Sequence, residues 1–205
     1  METLSKLFGN AAKVKIMRLF LSNEDIIFDN ADISKRTKVS LVNLRKELKV
    51  FENISLIKKR VFYKEITKKV KGKEVIEKKK TSGWILDTNF SLLAPLKNLL
   101  IKGSPVSSKD IIGRLKGGGS LKLIITSGVF IQEPDSRVDI LIVGDNINNS
   151  YLERAISILE SEIGQELKYF ILETPDFNYR LGVYDKLLRD ILDYSHKKIV
   201  NKLDF

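Results

Sequence analysis

Apolar residues at Leu4, Leu7, Phe8, Ala11, Val14, Ile16, Leu19 and Phe20 recur at near-helical spacing and predict an amphipathic helix running to about Ser22. A polar break, SNEDIIFDN, follows, and ADISKRTK predicts a short second helix with Asn30 as N-cap and Ala31 and Ile33 turned inward. Ser40 can cap a third helix, because its hydroxyl accepts a backbone N–H of the first turn. In LVNLRKELKVFEN, Leu41, Leu44, Leu48 and Phe51 fall on one stripe, and Val42, Asn43, Arg45, Lys46 and Lys49 face the other way. The period then changes. SLIKKRVFYKEITKKV and EVIEKKKTSGWILD carry the β-formers Val61, Tyr63, Ile66, Val75, Ile76, Trp84 and Ile85, and predict a hairpin turning at KGK around Gly72. Trp84 is expected to pack this hairpin onto the helices.

Further along, Ser91–Lys102 reads as a connecting helix with Pro95 early in it, and Gly103–Ser108 as a break. A short helix, SSKDIIGRLKG, leads to Gly117–Gly119, a turn into a strand; the Lys-Ser/Thr that a phosphate loop needs is missing. LKLIITSG and VDILIVGD predict buried strands, and NNSYLERAISILESEIG a helix with Tyr151, Leu152, Ala155, Ile156, Leu159 and Ile163 inward. ELKYFILET predicts a third strand, PDFNYRLGVYDKLLRDILDYSH one long helix with Pro175 near its start, and KKIVNKL a last short strand. The expected fold class is α+β, divided into residues 1–90, a connection over 91–104 and a small α/β domain over 105–205.

Composition narrows the chemistry. The 205 residues include no Cys and one His, which excludes disulfides, thiol nucleophiles, Cys-ligated metals and a Ser–His triad. His196 is expected near a helix end, where a cation interacts favourably with the dipole. No apolar run reaches the roughly 18–20 residues of a membrane span, and METLSKLFGN lacks the apolar core of a signal peptide, so a cytoplasmic protein without a membrane partner is expected. The net charge is +10, and its distribution is uneven: residues 1–90 hold 21 basic and 11 acidic residues, while 91–205 hold 15 of each. The densest block, Ile54–Lys80, has 11 basic and three acidic residues. This segregation predicts one module that faces a polyanion and one that does not.

Three helices with a short turn before the last, then a hairpin, make a winged helix-turn-helix. VSLVNLRKELKVFENISLIKK resembles the recognition helix and wing entry of ArsR/MarR-type transcriptional regulators, through Val39, Ser40, Leu44, Leu48, Phe51, Glu52, Leu56 and Ile57. Ser55 stands where that family usually has Gly, and the basic hairpin is longer than its norm. The resemblance covers about residues 1–85 and implies a homodimer on double-stranded DNA. Base edges would be met by Val42, Asn43, Arg45 and Lys46, with Ser40 and Lys49 of the same helix also in contact with DNA. Phosphates would be met by Lys58, Lys59, Arg60, Lys68, Lys69, Lys71, Lys73 and Lys78.

Residues 105–202 are similar to the minimal nucleotidyltransferase domain of the DNA polymerase beta-like superfamily. That family ends its first strand in Gly-Ser and carries an Asp-x-Asp pair on the next strand, where two carboxylates on one face clamp Mg²⁺. Here ITSGVFIQEPDSRVDILIVGD places Thr126 at the Gly and then Ser127; Phe130 and Ile131 replace Arg-Gly; Arg137 takes the first Asp position and only Asp139 remains. Lys168 and Phe170 lie where a third carboxylate is expected. Arg137 beside a lone Asp139 predicts an ion pair and not a dication, because Arg stays protonated. Glu133 and Asp135 add acid nearby, but Pro134-Asp135 reads as a hairpin turn.

The expectation is a DNA-binding transcriptional regulator whose second domain is an inactive nucleotidyltransferase fold used for dimerisation or for sensing a nucleotide or small-molecule effector, with no resident cofactor or metal. The alternatives are a working nucleotidyltransferase that holds a nucleic-acid or protein target with its basic domain, and a double-stranded RNA binder.

Overall fold

The computed structural model describes residues 2–70, 73–103, 106–133 and 136–203, and the side chains of all of these except residues 2, 68–70 and 73–75. The fold is mixed α+β and divides into two compact units, Met1–Gly103 and Ser104–Phe205. Among the described residues no helix is long and apolar enough to cross a membrane.

In the first unit the leading apolar period folds as two helices, α1 (Glu2–Leu7) and α2 (Ala11–Ser22), where the pattern predicts one. Gly9 takes φ +75°, a region that penalises any residue with a Cβ. Asn10 then caps α2, its Oδ1 accepting from the Ala12 amide at 2.8 Å. Periodicity runs straight across this break, and Leu7 ends up exposed. The next helix, α3 (Asn30–Thr37), is capped by Asp29 and not by Asn30: Asp29 Oδ1 accepts from the Asp32 amide at 2.8 Å. Asn30 instead accepts from Trp84 Nε1 at 3.1 Å, and Ala31 is exposed. Only Lys38, Val39 and Ser40 separate α3 from α4 (Leu41–Asn53), with Lys38 left-handed at φ +57°. Leu44, Leu48 and Phe51 enter the core as expected; Leu41, at 45% exposure, joins the outer face.

After α4, Ser55 adopts φ +61°, and the Leu56 amide reaches back to the Phe51 carbonyl at 2.9 Å. The left-handed turn expected of Gly forms here with Ser. It launches β1 (Ile57–Val70), which pairs antiparallel with β2 (Lys73–Leu86) from Ile57↔Leu86 out to Val70↔Lys73. Fourteen residues per strand make a ribbon about 46 Å long. The turn predicted around Gly72 lies outside the described residues. At the base of the ribbon Phe28, inside the segment read as a polar break, pairs with Trp84 through amide bonds of 3.0 and 2.8 Å. Trp84 thus joins the hairpin to the helices, by its backbone as well as its ring.

The stretch 91–104, read as a connection, is largely packed into this unit. It contains α5 (Leu93–Lys97) and one wider π-type turn, Asn98–Lys102, which buries Leu100. Buried Arg18 holds that turn by donating from Nε to the Leu100 carbonyl at 2.9 Å, and Lys97 pairs with Glu24.

The second unit is built on a four-stranded sheet of β3 (Ser120–Thr126), β4 (Ile140–Asp145), β5 (Tyr169–Glu173) and β6 (Lys197–Asn201) in the order β5-β4-β3-β6. β3 is antiparallel to both β4 and β6, and β4 is parallel to β5. Both faces of the sheet are covered, which is why its central strands read as unbroken apolar runs. Ile124, Ile140 and Ile142 pack against α6 (Ser108–Leu115) and α7 (Asn149–Ile163). Leu123, Leu141 and Val143 pack against Phe177 of α8 (Thr174–Gly182) and Leu188 and Ile191 of α9 (Lys186–Asp193). The single long helix expected from Pro175 onward is therefore two: Tyr184 turns left-handed at φ +56°, and Asp185 caps α9 by accepting from Leu187 and Leu188. His196 falls in the α9–β6 connection, beyond the helix end, with Nδ1 2.8 Å from the Tyr194 carbonyl. Gly117 and Gly118 pack beneath Tyr151 and Leu152, where a Cβ would collide with either side chain, so they serve packing into β3.

Candidate nucleic-acid interface

The outer face of α4 carries Val42, Asn43, Arg45, Lys46 and Lys49, all exposed, with Ser40 Oγ at the cap 3.5 Å from the Asn43 amide. Burial of the Leu44–Leu48–Phe51 stripe orients this face outward. Among the described residues no ion pair engages Arg45, Lys46 or Lys49. Three donor-bearing side chains therefore stand on one helix face with their hydrogen-bonding capacity open to a ligand.

The hairpin distributes its charge less freely. Lys58 donates to Asp87 at 3.0 Å; that bond, with one from the Asn89 amide and the nearby charge of Arg60, holds the Asp87 carboxyl below its ordinary range. Lys59 lies 3.1 Å from Glu52 of α4 and 5.0 Å from the centre of the Trp84 ring. These two lysines thus hold the hairpin against the unit while remaining partly exposed. Arg60 is exposed and sits opposite Gly83. Lys78 is exposed, 3.7 Å from Glu65. Lys68, Lys69 and Lys73 lie near the outer end of the strands with side chains outside the described set, and Lys71 lies outside the described residues altogether.

Sequence reasoning gave no separate role to Lys64, a cation of the hairpin that is bonded to two carboxylates. Its ammonium donates to Asp29 Oδ2 at 2.8 Å and to both Asp32 oxygens at 2.7 Å. Burial alone would raise the Asp29 carboxyl, but the bonds from Lys64 and the Asp32 amide outweigh it and hold Asp29 low. Burial would likewise lower Lys64, and its bonds to the two carboxylates raise it instead. Cross-strand pairing explains the arrangement: Lys64 faces Lys79, a repulsive pair if both were uncompensated. Neutralising Lys64 from α3 leaves its cross-strand partner Lys79 exposed without an uncompensated cation opposite it.

The positions likened to a nucleotidyltransferase site are occupied by structural bonds. Thr126 donates to the Lys197 carbonyl at 3.3 Å, and Ser127 Oγ to the Val138 carbonyl. Asp139 is 5% exposed, and its two oxygens accept the Val129 amide at 2.9 Å and the Lys168 amide at 2.8 Å. Gly128, at φ +54°, makes room for this carboxylate, with which any Cβ there would collide. The expected Arg137–Asp139 pair does not form. Arg137 Nη1 lies 2.6 Å from Asp190 of α9, because the inward turn of Asp139 leaves Asp190 as the nearby acid. Lys168 Nζ donates to the Ser136 carbonyl, and Phe170 lies under Arg180. Glu173 Oε1 accepts the Ile147 amide. Among the described residues no three Asp, Glu or His side chains gather as a metal site; Pro134 and Asp135 are outside them. Comparison of the chain with protein-family models, with curated proteins and with solved structures found no match.

Proposed function

We propose that this chain is a transcriptional regulator that binds duplex DNA through a winged helix in its first unit. α4 enters the major groove, where Arg45, Lys46 and Asn43 reach base edges, and the β1–β2 hairpin is the wing. The observation that carries this reading is the three-residue turn Lys38–Ser40 setting α4 against α3 with its unpaired Arg45, Lys46 and Lys49 outward. A ribbon with 11 basic and three acidic residues from Ile54 to Lys80 follows it. The regulator acts as a homodimer on two half-sites about one helical turn apart.

The second unit, in this reading, is a nucleotidyltransferase-like fold that works without catalysis, as a dimerisation or effector module. An antiparallel first pair, β3–β4, and a parallel β4–β5 pair joined through α7 support it. A working transferase would need Asp139 turned to a dication, whereas both of its oxygens take backbone N–H groups.

Selection of bound duplexes from a random pool tests the proposal. It predicts an enriched motif with repeated half-sites, altered by Arg45→Ala. Failure to enrich any motif, with the chain folded, rejects it.

A further inference from the structure

The two faces of the β1–β2 ribbon are chemically different. Strand alternation puts Phe62 and Lys64 on one face, together with Lys79 and Gly83. That face is engaged with the unit: Lys64 is bonded to Asp29 and Asp32, and a Cβ on Gly83 would stand 2.7 Å from the Phe28 carbonyl and 2.9 Å from the Phe62 ring. The other face starts in the core at Ile57 and Leu86, passes Trp84 beneath Lys59, and then runs out into solvent. There Val61 is 60%, Tyr63 68% and Ile76 67% exposed. Tyr63 stands opposite Lys80 and Val61 opposite Ser82; of the two acids on this face, Glu65 is paired with Lys78 across the strands, in the row between Tyr63 and Ile76, and Glu74 stands opposite Lys69.

Phosphate contact alone calls for cations. A branched or aromatic side chain held against a hydrated phosphate gains nothing, whereas against deoxyribose and base it gains contact area and stacking. The ribbon's charge selects a polyanion, and this face selects one with apolar surface between two rows of phosphate. The minor groove of duplex DNA has both. The ribbon's length, about 46 Å, exceeds one duplex turn of about 34 Å, so the face can seat in a groove while α4 occupies another. The bonds of Lys64 to Asp29 and of Trp84 to Asn30 anchor the inner half of the ribbon, so the deformation on docking falls on the DNA.

We propose that the Val61–Tyr63–Ile76 face of the hairpin seats in the minor groove and that Tyr63 wedges a base step, bending the duplex. The proposal rests on the duplex-binding reading above and adds a second element that contacts bases.

The test uses the full chain and an end-labelled duplex, with bending read by energy transfer and affinity by anisotropy at several salt concentrations. Wild type should bend the duplex by at least about 20°. Tyr63→Thr should abolish the bend and weaken binding roughly tenfold with an unchanged salt slope, since no phosphate contact is lost. Ile76→Thr should weaken binding in the same way; both positions are exposed and Thr suits a strand, so the variants fold. Lys80→Ala, opposite Tyr63 on the same face, should keep the bend and flatten the salt slope. Duplex binding without bending, a Tyr63→Thr variant that binds and bends like wild type, or a Tyr63-dependent preference for single-stranded over duplex DNA would each overturn the wedge while leaving DNA binding in place. Absence of duplex binding at any salt would instead remove the reading on which the wedge rests.

Discussion

Lys64 of the hairpin and Asp29 at the start of α3 meet at 2.8 Å, and through this contact the ribbon is fastened to the helices at a point well beyond its base. Asp29 is also the N-cap of α3, so a single carboxylate serves two elements. Asp29→Ala should cost about 1–2 kcal/mol, mostly from the lost cap, since Lys64 is partly exposed and its ion pairs are screened.

The same contact predicts a pH dependence. The Asp29 carboxyl is lowered from 3.8, so its contribution is complete above that value and lost as pH falls through the depressed pKa. Lys64 is raised from 10.5, so its contribution is complete below that value and lost as pH rises through the raised pKa. The stability difference between wild type and Lys64→Met, measured by urea denaturation, should be flat from about pH 5 to about pH 10 and shrink at both ends. A difference that persists unchanged into strong acid would place the energy elsewhere.

Asp139 is expected to act on stability and not on turnover. Asp139→Ala leaves the Val129 and Lys168 amides without their acceptor and should cost about 3 kcal/mol in chemical denaturation. Titration of wild type with Mg²⁺ and ATP should give no binding heat. Metal-dependent nucleotide binding that disappears in Asp139→Ala would show that this carboxylate serves a dication.

Ser55 holds a left-handed conformation that favours Gly. Ser55→Gly should therefore stabilise the first unit by about 0.5–1 kcal/mol, the relief of Cβ strain exceeding the entropy that Gly adds to the unfolded chain. A lowered melting temperature would mean that the Ser side chain contributes more than its backbone strain costs.

Arg45→Ala should cost about 1–3 kcal/mol on the preferred duplex and flatten the preference at one base position, whereas Lys80→Ala should weaken all duplexes alike. Equal losses across sequences for both variants would make α4 a phosphate contact and no reader of bases.

Much of this fold was legible in the sequence. The Leu44–Leu48–Phe51 stripe oriented α4, the change from helical to alternating period located the hairpin, and the doubly covered strands appeared as the apolar runs around Ile124 and Ile142. What escaped was local or long-range. Gly9-Asn10 and Tyr184-Asp185 break helices through backbone conformation and capping, to which hydrophobic periodicity is blind. The Phe28–Trp84 bridge joins residues 56 positions apart, and the role of Lys64 depends on a strand register that places it opposite Lys79. The chemistry near Asp139 was half visible: the carboxylates expected of a transferase were missing from the sequence, yet only the geometry revealed that Asp139 turns to backbone amides and that Arg137 chooses Asp190.

The central claim is that the first unit neutralises the phosphates of duplex DNA. Anisotropy of a labelled duplex, titrated with the full chain across a range of salt concentrations, tests it most directly. With about six phosphates engaged, log K should fall against log salt with a slope near −5. A duplex left unbound at low salt, or bound with an affinity indifferent to salt, would contradict it.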